Sequence, residues 1–412
     1  MNDKLHLALL EATRLTRAGR LREATALLQV ALRGKRAPDP ACGSSGTSDQ
    51  PAGRVRPIID VVTSQPAGPA EGTARPHMPE VLRGFLDRLK RIGSQLGIGG
   101  LAKPLPAPAP EVLPEGGGFV AGSYSNEAGS RAYKLYVPSS YGGQTLPLIV
   151  MLHGCTQSPD DFAAGTRMNA IGEKHTCLVA YPAQTVSANP SKCWNWFRSS
   201  DQQRGQGEPS LIAGITRQIM RNYSVDAQRV YVAGLSAGAA AAAIMGATYP
   251  DLYAAVGVHS GLACGAASDL PSAFAAMREG EAASARLSGS VPGAGGWRRI
   301  VPTIVFHGDQ DTTVHPRNGD QVIAQSKATP TVDLQARLQR GQVPGGHTYS
   351  RTLHADVRGQ TILEHWVIHG AGHAWSGGSP AGSYTDPRGP DAAREMLRFF
   401  LEHPHPTAVQ LI

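Results

Sequence analysis

A serine between two glycines, a pair of aspartates and a pair of histidines are the residues of this chain best suited to nucleophilic chemistry. The serine is Ser236, in Gly234-Leu235-Ser236-Ala237-Gly238. A hydroxyl is a weak nucleophile until a neighbouring base takes its proton. Alone, a G-x-S-x-G match carries little weight, because glycine is abundant here. Its context adds weight: the apolar run Arg229 to Ala233 leads in, and an alanine-rich helical segment follows Gly238. A sharp strand-to-helix turn needs side-chain-free neighbours, lifts the hydroxyl above the strand ends and aims a helix N-terminus at developing negative charge.

The partners of such a serine follow it in the chain, acid first and histidine second. After the apolar stretch Ile304-Val305-Phe306 comes His307-Gly308-Asp309-Gln310-Asp311, so Asp309 and Asp311 are both candidate acids. After Trp366-Val367-Ile368 comes His369-Gly370-Ala371-Gly372-His373. His373, in a glycine-flanked loop, is the candidate base, while His369 reads as a core histidine at a strand end. A tetrahedral intermediate also needs two backbone N–H donors. Ala237 supplies one; the loop His153-Gly154-Cys155-Thr156-Gln157 is placed to supply the other.

These residues need a rigid frame, and the chain from residue 117 onward reads as alternating strands and helices. Leu146–His153 is a continuous apolar run, as expected of a strand buried on both faces. Lys134–Val137, Cys177–Tyr181, Val230–Leu235 and Pro302–His307 are further strands, with helices near 209–221 and 237–248. Thr348–Ala355 and Thr361–Ile368 read as a hairpin turned at Arg358-Gly359. Strands alternating with helices imply a mostly parallel sheet with right-handed crossovers, an α/β fold. The unit is expected to span 117–402, with 403–412 as a tail.

The first 116 residues differ. Residues 1–34 read as a helical hairpin interrupted at Gly19-Arg20, with Leu5, Leu9 and Leu15 on one face and Leu21, Leu28 and Leu32 on the other helix. A lone hairpin cannot bury its own apolar face, so it is expected to self-associate or dock on the catalytic domain. Residues 35–116 read as a mostly disordered Pro/Gly-rich linker holding one amphipathic helix at 79–96. Of the net charge of +7, the first 118 residues carry +5, from 16 Lys/Arg against 11 Asp/Glu. No basic block interleaved with aromatics appears, so a nucleic-acid partner is not expected. Nor is there an apolar run long enough to span a membrane. The apolar stretch Leu5–Leu10 is short and runs into Glu11, so a secretory leader is not expected and a cytoplasmic start is. No metal-ligand cluster or phosphate-cradling loop is seen, so no metal and no cofactor are expected. Five cysteines are too few and too scattered for a disulfide framework, which leaves room for one or two bridges among Cys155, Cys177, Cys193 and Cys264.

Residues from about 117 to 400 resemble the poly(3-hydroxybutyrate) depolymerase-type esterases, relatives of feruloyl and acetylxylan esterases. The matching segments are His153–Gln157, Cys193-Trp194-Asn195-Trp196-Phe197, Gly234–Gly238, His307–Val314 and Gly372–Gly378. The resemblance implies an α/β-hydrolase fold, with Ser236 as nucleophile, Asp311 rather than Asp309 as acid, His373 as base and Cys155 as the second oxyanion donor. It also implies an ester substrate, polymeric or oligomeric 3-hydroxybutyrate foremost, with a feruloyl or acetylxylan ester as the alternative. Trp194, Asn195, Trp196 and Trp375 fall in loops at the expected active face and are candidate substrate contacts. A Cys193–Cys264 bridge is a guess that a reducing compartment disfavours. A non-catalytic polymer- or granule-binding protein is the rival of another class, with the hairpin and the basic helix as its working parts.

Overall fold

The structure, a computed structural model, describes residues 117–280, 300–328 and 333–406. The expected hairpin at 1–34, the linker, the helix at 79–96 and the last residues of the tail lie outside them.

Ten strands form one sheet in the order β1-β2-β4-β3-β5-β6-β7-β10-β9-β8. They are β1 (Gly118–Asn126), β2 (Gly129–Val137), β3 (Leu146–Leu152), β4 (Leu178–Pro182), β5 (Val225–Leu235), β6 (Ala255–His259), β7 (Thr303–Gly308), β8 (Gln335–Gln342), β9 (Thr348–Ala355) and β10 (Thr361–Ile368). The six central strands from β4 to β10 run parallel, and an antiparallel hairpin closes each edge. A further pair, β11 (Trp375–Ser376) and β12 (Thr385–Asp386), stands apart from the main sheet.

Side chains of a strand alternate between faces, so a run apolar at every position feeds two cores. On β3, Leu148, Val150 and Leu152 pack into one core with Val230 and Val232 of β5. Helices α3 (Gly207–Asn222) and α4 (Ala237–Thr248) close that face through Ile212, Ile215 and Ile244. Ile149 and Met151 point the other way, toward Tyr231 and Ala233. There α1 (Pro159–Thr166) and α2 (Met168–Lys174) pack with the last helix, α7 (Ala392–Leu401). Phe400 of α7 stacks on Tyr231, with centroids 4.9 Å apart. Helices α5 (Leu270–Glu279) and α6 (Arg317–Lys327) complete the first face. Past α7 the chain stays docked: His405 donates its backbone N–H to Gln228.

The register brings the ends that matter to one edge. Leu152 of β3 lies beside Gly234 of β5, and Gly308 of β7 beside Ile368 of β10. The loops after these strands therefore open on the carboxyl edge of the parallel strands, where α/β sheets build their sites.

Candidate active site

Ser236 is the single residue between β5 and α4, held at φ 57° and ψ −120°. That is a left-handed backbone position for a residue with a Cβ, and such strain persists only where the surroundings impose it. They do: the Ser236 N–H donates to the His259 carbonyl at 2.9 Å, and its own carbonyl takes the first helical bond, from Ala240. Space fixes the flanking glycines. A Cβ on Gly238 would run into the Leu152 carbonyl, and one on Gly234 into the Gly238 backbone. Ala237 opens α4, so its N–H has no intrahelical acceptor. The loop after β3 approaches from the other side: a Cβ placed on Gly154 would sit 3.6 Å from that of Ser236.

Asp311 follows β7 and is buried. Its Oδ1 accepts from the backbone N–H groups of Thr313 and Val314, each at 2.9 Å. Its Oδ2 faces His373 Nδ1 at 2.7 Å and His307 Nε2 at 3.4 Å. Burial pushes this carboxyl up, but the two imidazoles and their hydrogen bonds outweigh burial and hold it well below the usual carboxylate range. An ionised Asp311 can only accept, so it fixes the proton on His373 Nδ1 and leaves Nε2 as the free base. Ser236 and His373 both line one cavity.

Asp309 and His369 pair with each other instead. His369 Nδ1 lies 2.9 Å from Asp309 Oδ2, and both side chains are about one-third exposed or more. His369 is therefore no core histidine: β10 ends at Ile368, and the ring lies beyond the sheet.

The shared cavity has a volume of about 350 Å³. Cys155, Ser236, Ala237 and His373 line one part of it; Trp196, Phe197, Leu262, Phe274, Met277 and Val314 make apolar walls. Of the expected substrate contacts, only Trp196 reaches it. Trp194 is fully buried, with its indole N–H on the His153 carbonyl. Trp375 is buried too, stacked on His259 at 5.0 Å. Asn195 turns inward, donating to Glu208 from its backbone N–H and its side-chain amide, each at 2.7 Å. These three hold the loops rather than face a substrate.

Glu208 itself has no motif in the sequence. It sits in the first turn of α3, buried, with Gln184 and Arg131 as further partners. Burial, then the nearby Asp201 carboxylate, raise its pKa. Only the folded packing of Asn195 and Gln184 against it reveals that it anchors a wall of the cavity.

The cysteines also pair differently from the guess. Cys193 is bonded to Cys155, not to Cys264, which is a buried free thiol. The loops after β3 and β4 meet over the cavity, whereas Cys264 lies against α6, where Gln325 bonds both its N–H and its carbonyl. The bridge ties the Cys155 backbone to the Trp196 wall. Cys193→Ser is accordingly expected to lower kcat about tenfold, a loss of about 1.4 kcal/mol of oxyanion stabilisation. Steady-state kinetics on p-nitrophenyl butyrate checks this; an unchanged kcat counts against the coupling.

Among the described residues no group of His, Cys, Asp and Glu side chains is arranged to hold a metal ion, and no helix is long and apolar enough to cross a membrane.

Strand order and crossovers define an α/β-hydrolase, and the solved acetyl xylan esterase from Aspergillus awamori shares the fold. That structure superposes with a TM-score of 0.55 at 19% identity, covering 69% of this chain and 99% of its own. The family model for esterase PHB depolymerase matches residues 131–335, and the chain belongs to that family. It is 34% identical over 241 residues to poly(3-hydroxyalkanoate) depolymerase C of Paucimonas lemoignei, covering 58% of this chain and 57% of that one. It is 31% identical over 195 residues to a probable acetylxylan esterase A of Aspergillus clavatus, covering 45% and 61%. Feruloyl esterase B of Neurospora crassa is 31% identical over 212 residues, covering 49% of this chain and 70% of that one. The chain thus spans less than two-thirds of the first two curated relatives, and all three are named for carboxylic ester hydrolysis.

Proposed function

We propose that the chain is a serine esterase that cleaves short-chain polyhydroxyalkanoate, as polymer or oligomer, through an acyl-enzyme. The observation that carries this is the strained Ser236 sharing a cavity with an imidazole whose Nδ1 faces a buried carboxylate at 2.7 Å. His373 Nε2 takes the Ser236 proton as Oγ attacks the ester carbonyl carbon. The carbonyl π pair moves to oxygen, which the N–H groups of Ala237 and Cys155 receive. Collapse expels the alcohol, which leaves with the proton from His373; a water then repeats the sequence on the acyl-serine.

The aliphatic wall of Leu262, Leu270, Met277 and Val314 suits a short acyl chain. Trp196 and Phe197, edge to face at 5.8 Å, favour a feruloyl ester as the second reading. The catalytic unit is taken to be residues 117–402, and the hairpin at 1–34 an element that self-associates or docks.

A fluorophosphonate probe should label the chain once, at Ser236, as located by mass spectrometry. A panel of hydroxybutyrate oligomers, feruloyl esters and acetylated xylan should then rank the oligomers first by kcat/KM. An adduct elsewhere defeats the mechanism, whereas a higher rank for feruloyl esters changes the substrate alone.

A further inference from the structure

Asp309, His369 and Ser350 form a hydrogen-bonded chain outside the cavity. Asp309 Oδ1 accepts the Gly370 N–H at 2.8 Å, and Oδ2 takes His369 Nδ1 at 2.9 Å. His369 Nε2 then meets the hydroxyl of Ser350, on β9, at 2.9 Å. With a carboxylate on Nδ1, that ring nitrogen carries the proton, and Nε2 accepts from Ser350. The order serine, imidazole, carboxylate repeats that expected at the cavity. Yet neither Ser350 nor His369 lines the cavity, so a second nucleophilic centre does not fit.

The chain's position suggests another role. His373 stands at the end of Gly370-Ala371-Gly372, a stretch with almost no side chain to anchor it, entered through Gly370 at φ 81°. Two loops must therefore hold each other. Backbone bonds do part of this, from Asp309 to the Ile368 carbonyl and from Gln310 to the Ala371 carbonyl. The Asp309 carboxylate grips both His369 and Gly370, four and three residues before the base. Asp311 grips the base itself.

We propose that Asp309 and His369 are positioning residues that set the start of the His373 loop and thereby the aim of His373 Nε2. The proposal rests on the esterase reading above. A displacement of the base by about 1 Å or less is enough to slow proton transfer severely without weakening substrate binding.

Two near-isosteric variants separate the bonds. In His369→Asn the side-chain amide stands about where Nδ1 stood, keeping the Asp309 link and losing Ser350. In His369→Gln it reaches toward Ser350 and loses Asp309. Assayed on p-nitrophenyl butyrate, Asp309→Ala and His369→Gln should lower kcat about tenfold with KM within about twofold; His369→Asn should recover kcat to within about threefold. A fall in melting temperature with kcat unchanged overturns the proposal, because it marks a purely structural pair. So does a rise in KM at constant kcat, or a His369→Asn as impaired as His369→Gln. Ser236→Ala in the same assay reports on the reading beneath: activity that survives it defeats the catalytic assignment, whatever the loop variants do.

Discussion

Ser236→Ala is expected to abolish ester hydrolysis, with a fall in kcat between about 10³ and about 10⁶, while the protein folds as before. The site explains why both halves hold. The backbone strain at φ 57° belongs to the turn and is the same for alanine as for serine. The N–H that pins the turn to His259 is untouched. Only Oγ is lost, and in the proposed mechanism Oγ is the atom that attacks. In the proposed mechanism residual turnover comes from the Ala237 and Cys155 donors acting on a bound ester attacked by water, which sets the upper bound on what survives. Progress curves and a thermal melt suffice. Retained hydrolysis would falsify the nucleophile assignment, and a wild-type chain that binds the polymer without cleaving it would favour the binding-protein rival.

The place of the candidate site was more legible in the sequence than its surroundings. The turn at Ser236 could be read because sterics restrict which residues flank it, and sterics are written in glycines. His373 and the stretch holding the acid could be read because each follows an apolar strand in a fixed order; that order left Asp309 and Asp311 both open, and only the family resemblance chose between them. Strands β3, β4 and β7 were visible for the same reason: a run buried on both faces is apolar throughout. Strand β8, Gln-Ala-Arg-Leu-Gln-Arg-Gly-Gln, was not visible, since its mostly polar residues would suit a loop and it exists through its ladder to β9. Trp194 and Trp375 misled for a related reason. A loop near an active face can turn its rings either way, and what decides is whether an indole N–H finds a carbonyl such as that of His153. The Cys155–Cys193 pairing and the role of Glu208 depend on which loops meet in space, and neither leaves a local pattern.

The two aspartates also differ in which loop groups meet them in space. Asp311→Asn is expected to cost about 10⁴ in kcat, although the two side chains are nearly the same size. Two backbone N–H groups, of Thr313 and Val314, already claim Oδ1 and require an oxygen there. The amide nitrogen of asparagine must then face His373 Nδ1. A donor in that place demands an unprotonated Nδ1, which moves the ring proton to Nε2, where it blocks removal of the Ser236 proton. In acid the two proteins also diverge in stability. The Asp311 carboxyl is held below its ordinary value, so its contribution is present above the unfolded value of about 3.9 and fades as pH falls through the folded one. An asparagine side chain does not titrate, so melts of the Asp311→Asn variant should be flatter on the acid side. Asp309→Asn, by contrast, should lower kcat less than about threefold. There the asparagine oxygen can still accept from Gly370 and its amide can donate to His369 Nδ1; the ring then donates through Nε2 to Ser350, and the outer chain simply runs in reverse. No proton has to arrive at that imidazole for the loop to stay in place. Rate and melting measurements on the two variants side by side test the assignment: a larger loss at Asp309 would make it the acid, and would leave the buried pair at 2.7 Å without a catalytic role.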